Sequence, residues 1–63
     1  MCEAAAYILK NGREELVLAD VDVIEPDGDS LRLVNIFGEQ KTLKANIISL
    51  NLLNHKVILV EKP

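Results

Sequence analysis

The stretch Asp20-Val21-Asp22-Val23-Ile24-Glu25-Pro26-Asp27-Gly28-Asp29-Ser30-Leu31-Arg32-Leu33 carries the clearest fold signal in the chain. Asp20 to Val23 alternates polar and apolar residues, the period of two that marks a half-buried strand with its carboxylates facing water. Glu25 to Ser30 is dense in turn formers. Pro26 has no N–H to give a ladder, so the strand is expected to stop there. Ser30 to Leu33 then alternates again as a returning strand. The pattern slips at Val34-Asn35-Ile36-Phe37, where a β-bulge would absorb the slip and bend the sheet.

The same grammar extends outward in both directions. Upstream, Ala4 to Lys10 is apolar and ends at Asn11-Gly12, a strong two-residue hairpin signal, with Arg13 to Leu18 as the return strand. Downstream, Gly38 marks a turn and Gln40 to Leu43 a short strand, while Lys44-Ala45-Asn46 fits either a corner or one helical turn. Ile48 to Leu52 alternates cleanly, Leu53-Asn54-His55 turns, and Lys56 to Glu61 is a last strand rich in β-branched residues. The expected fold is all-β: about six or seven short antiparallel strands in one strongly bent SH3-like or Sm-like barrel spanning residues 1–63.

Size and charge limit what such a barrel does. With 63 residues, 49% of them hydrophobic, the chain is near the lower limit for folding unaided. Domains this small add a disulfide, a metal or a partner subunit to a thin core. A lone cysteine, Cys2, excludes an internal disulfide, so a metal and self-association remain, and a homodimer is expected. Seven Lys and Arg against ten Asp and Glu give a net charge of −3, which repels a phosphate backbone. Tyr7 and Phe37 alone are aromatic, a thin platform for stacking bases. RNA is therefore a weak expectation as a partner. No apolar run approaches the ~20 residues needed to span a bilayer, and Ala4 to Leu9 lacks the basic flank of a signal peptide. A cytoplasmic location, where the thiol stays reduced, is the expectation.

Cys2 admits two readings. It is a small hydrophobe opening the first strand, or it is a chelator exposed when Met1 is removed. In the second case its α-amine and thiolate close a five-membered ring on a metal. A thiol titrating near ~8.5 and an amine near ~8 release their protons to a metal at modest cost around neutral pH. One residue supplies only two donors; a four-coordinate site needs backbone amide nitrogens or a second copy of the same residue, which a two-fold dimer supplies. Nitrogen and thiolate donors suit nickel or copper, or zinc if the geometry is tetrahedral. His55, between Asn54 and Lys56, reads as a solvated turn residue, and spacing gives it no link to Cys2. Asp20 and Asp22 read as a hydrated face, and Asp27-Gly28-Asp29-Ser30 as a turn without the spaced ligands of a calcium loop. With three glycines in all there is no phosphate-binding loop, and no enzyme is expected.

Met1-Cys2 before an apolar first strand, the Asp20-Val21-Asp22-Val23-Ile24 strand, the Asp27-Gly28 turn, Leu31-Arg32-Leu33-Val34 and the closing Val57-Ile58-Leu59-Val60-Glu61 together resemble the small CooT family. The resemblance runs along the whole chain, and its most specific element is the cysteine at position 2. It implies a homodimeric β-barrel that binds nickel through Cys2. It further implies a role in nickel maturation of carbon monoxide dehydrogenase or another client nickel enzyme. Members have also carried the label of RNA-binding protein.

Overall fold

The structure, a computed structural model, describes residues 3–63. Six strands follow in order: β1 (Ala4–Lys10), β2 (Arg13–Asp27), β3 (Ser30–Asn35), β4 (Gln40–Leu43), β5 (Ala45–Asn51) and β6 (Lys56–Glu61). They form one sheet in the order β4-β3-β2-β1-β6-β5, curled strongly into a half-barrel. The expected all-β architecture is the observed one.

The β1–β2 hairpin turns at Asn11-Gly12, both with positive φ (52° and 78°), as the right-handed twist of paired strands requires. The two strands read on either side of Ala19 are one strand. β2 runs through Arg13–Asp27 and serves β1 with its first part and β3 with its second. Pro26 does not end it. Pro26 faces Leu31, next to the Asp27–Ser30 pair that closes the turn. Antiparallel pairs alternate between bonded and non-bonded, so Pro26 falls on a non-bonded position with its nitrogen turned away from β3. On that side β1 has already ended, its pairing reaching only Val21.

β2 bends because it carries extra residues. Between Ala4↔Val21 and Ala6↔Leu18 it advances three residues for two of β1, and it gains another between Leu18 and Leu16. Asp20 takes a positive φ of 56° at the first of these. Against β3, Val21↔Asn35 is followed by Val23↔Val34, which leaves Asp22 as the bulged residue. The bulge expected on Val34–Phe37 therefore lies on the opposing strand. An extra residue reverses the inward and outward faces beyond it. Val21 is buried, Asp22 and Val23 are exposed, and Ile24 turns inward again.

Ala6, Ile8, Leu18, Val21, Leu33, Ala45, Val57 and Leu59 form the core, with Ala4, Val17, Ile24, Leu31 and Leu43 packed around it. Lys44 is a corner rather than a helical turn, and its carbonyl accepts from the Lys62 N–H at 3.0 Å. β6 lies inside the sheet between β1 and β5, and its β1 pairing is parallel, Ala5↔Lys56 through Ile8↔Leu59. Central placement explains why Val57, Ile58 and Leu59 are buried in succession. Lys56 ties three strands at their surface. Its ammonium sits 4.9 Å from the centre of the Tyr7 ring and pairs with Glu14.

Candidate metal and partner site

The parallel β1–β6 pairing sets the start of β1 beside the β5–β6 turn. The Ala5 N–H donates to the His55 carbonyl at 2.9 Å, and His55 holds a left-handed φ of 52°. On its other side β1 meets Val21 through Ala4. A cavity of about 320 Å³ opens at this junction, with Ala4, Val21, Asp22, Leu50, Leu52 and His55 in its wall. His55 is thus brought to the beginning of the chain. No sequence spacing signals this, because a parallel pairing joins residues some fifty positions apart.

Cys2 and Met1 lie outside the described residues, two positions before Ala4. Among the described residues no group of three or more His, Cys, Asp or Glu side chains is gathered closely enough to hold a metal ion. Asp20 and Asp22 form no catalytic pair, since bulged backbone separates them and leaves Asp20 half-buried and Asp22 exposed. The Asp27–Ser30 segment is a tight two-residue turn, as expected.

Beside the cavity runs an apolar surface. β5 is an edge strand, paired only to β6 in the sheet order, and every residue from Asn46 to Asn51 is exposed. A shift of register at Ile48 turns both Ile47 and Ile48 outward. Leu50 and the turn residues Leu52 and Leu53 continue the patch, Leu53 at 88% exposure. The clean alternation of Ile48 to Leu52 thus marks a strand with no core face of its own. Residues 45–54, Ala-Asn-Ile-Ile-Ser-Leu-Asn-Leu-Leu-Asn, carry no charge at all. An uncharged apolar edge in an acidic chain is a surface to be covered.

The basic residues are dispersed and engaged. Lys10 pairs with Glu61 at 3.0 Å, Arg32 with Glu25 and Lys56 with Glu14, while the Lys62 ammonium donates to the Asp29 carbonyl at 2.8 Å. The carboxylates hold the Lys10 and Lys56 pKa values above their ordinary 10.5, by accepting a hydrogen bond from each ammonium, Glu61 from Lys10 and Glu14 from Lys56. Four of the seven cations in the sequence thus have partners within the chain.

The family described as the CO dehydrogenase accessory protein CooT matches residues 1–60. The chain belongs to the CooT family. A crystal structure of a CooT from Carboxydothermus hydrogenoformans superimposes with a TM-score of 0.93 at 42% identity, covering 98% of this chain and 100% of that one. No match is found among the curated proteins. The CooT match begins at position 1 and so includes Cys2. No helix is long and apolar enough to cross a membrane.

Proposed function

We propose that this chain is a nickel-binding accessory protein of the cytoplasm, without catalytic activity of its own, that acts as a homodimer and hands nickel to CO dehydrogenase or another client nickel enzyme. The observation that carries the reading is membership of a CO dehydrogenase accessory family by a chain whose lone cysteine is Cys2. The reading takes its donors from the N-terminus, and no cluster of three or more His, Cys, Asp or Glu competes with it among the described residues. The Cys2 thiolate and, once Met1 is removed, its α-amine are soft and borderline donors suited to nickel. Nickel is the cargo here, so ligands that let it go again are an advantage.

Two features of the fold support the dimer. The charge-free β5 edge offers Ile47, Ile48, Leu50, Leu52 and Leu53 to a second copy. In an isologous dimer the same patch serves both subunits. The end of that patch and Ala4 share one cavity wall, so a two-fold axis at this face would draw two chain starts together. Four donors then converge from two copies of one residue.

Nickel titration of Cys2→Ser tests the assignment. Loss of the thiolate-to-nickel absorption and at least tenfold weaker binding are expected, and undiminished binding would rule out Cys2 as a ligand. Material that retains Met1, identified by its mass, should bind more weakly because its α-amine has moved one residue away.

A further inference from the structure

Among the described residues one polar side chain is buried, and what it holds is a turn. Asn35, at 5% exposure, ends β3. Its Oδ1 accepts from the Phe37 N–H at 3.0 Å and the Glu39 N–H at 2.9 Å, and its Nδ2 donates to Glu39 Oε1 at 2.6 Å. Its own backbone adds two more bonds, to the Glu39 carbonyl and from the Gly38 N–H, each at 3.0 Å. The Ile36 N–H donates to the Asp20 carbonyl on β2 at 2.9 Å, and Gly38 supplies the positive φ of 81° that reverses the chain. A turn so fully bonded has little backbone freedom left to lose.

That turn carries the chain's one phenylalanine. Phe37 is 72% exposed, with Ile36 exposed beside it. A scattered apolar residue on a surface is ordinary. Here the backbone beneath the ring is fixed by a buried asparagine, so the aromatic is presented from one place. Rigid aromatic anchors are the side chains that dominate protein interfaces, and pre-organisation lowers the entropy lost on binding.

We infer that the Asn35-held Ile36–Phe37 turn is the point at which this protein docks on its client enzyme, Phe37 entering an apolar hole with a basic rim. The inference rests on the accessory reading above. Charge selects the partner. Of the charged residues on the segments around the turn, Asp20, Asp22 and Glu39 are acidic against Lys41 alone. A second acidic copy of the chain is repelled at this place, and a basic rim is attracted. The turn enters β4 at Gln40, the end away from the Lys44 corner where β4 passes into β5.

The test is binding of the nickel-loaded dimer to immobilised nickel-free CO dehydrogenase. Phe37→Ala should weaken binding at least about 30-fold, Phe37→Tyr should largely restore it, and raising salt should weaken the wild type. Nickel affinity and dimer mass should be unchanged in both variants. Wild-type binding that Phe37→Ala leaves intact overturns the docking point while sparing the accessory reading. A wild type that fails to bind overturns the docking point and CO dehydrogenase as the client, while the accessory reading stands or falls on the nickel titration of Cys2→Ser. A monomeric Phe37→Ala variant would make the turn's partner a second copy, which also overturns the proposal. Should Phe37→Ala fold poorly, p-benzoylphenylalanine at position 37 gives an independent readout. Photo-crosslinks to the enzyme are expected, and crosslinks confined to the second copy overturn the proposal.

Discussion

Asn35 shows what one residue settles in so small a chain. Its side chain satisfies two backbone N–H groups that the β3–β4 turn would otherwise leave without partners, and it fixes Glu39 as well. Unmade bonds at a part-buried site cost on the order of 1–3 kcal/mol. Asn35→Ala should therefore lose about 2 kcal/mol, lowering Tm by roughly 8–16 °C in a chain of this size. Asn35→Asp keeps the two accepting bonds but sets a carboxylate against that of Glu39, so its melting point should fall between the two. Thermal unfolding of the three proteins checks the order, and an alanine variant as stable as the wild type would mean the side chain holds nothing. In sequence Asn35 was visible only as the place where alternation slips. A slip is compatible with a bulge or with a side-chain-closed turn, and only the partner positions of Glu39 and Phe37 distinguish them.

At the scale of the element, β5 and β2 depart most from their patterns. The alternation of Ile48 to Leu52 is that of a half-buried strand, yet the strand buries Ala45 alone. Its register shift and edge position leave its apolar side chains for a neighbour, and the proposed homodimer would pack there. Leu50→Lys tests this without touching the core, because Leu50 is 60% exposed. The variant should keep the β-sheet circular dichroism of the parent, run as a monomer by light scattering, and bind nickel at least tenfold more weakly. A dimer that survives the lysine would place the interface elsewhere. β2 teaches the complementary point. Pro26 stays inside the strand because its missing N–H points where no neighbour lies, a fact about β1's length that no local window contains.

For the whole molecule, the strands are held at the surface by ion pairs between exposed groups, and these contribute modestly. Lys10–Glu61 and Lys56–Glu14 each join segments far apart in sequence. Both lysines have folded-state pKa values raised above 10.5, so their stabilisation is complete below that value. It is lost only as pH climbs through the raised values. Melting temperature should therefore show no step from these pairs across the neutral range and should decline above pH 10.5. A Glu14→Gln, Glu61→Gln double variant should begin lower and lose less over the alkaline limb. Equal alkaline slopes in the two proteins would show that the pairs contribute nothing.

The sequence by itself determined the fold class, four of the six strands within a residue or two, the Asn11-Gly12 hairpin turn and the absence of a long helix. These follow from side-chain period and turn chemistry, which act over a few neighbouring residues. It also determined Cys2 as the residue to watch, since a lone cysteine at position 2 is a fact of order rather than of shape. Only the tertiary structure decided that β1 and β6 run parallel, and hence that His55 meets the start of β1. It alone showed that β2 is one bent strand and that the uncharged stretch 45–54 lies on an edge instead of in the core. Each of those depends on which strands become neighbours across the sheet. Neighbours are chosen by the global burial of apolar surface, and a local pattern does not carry that information.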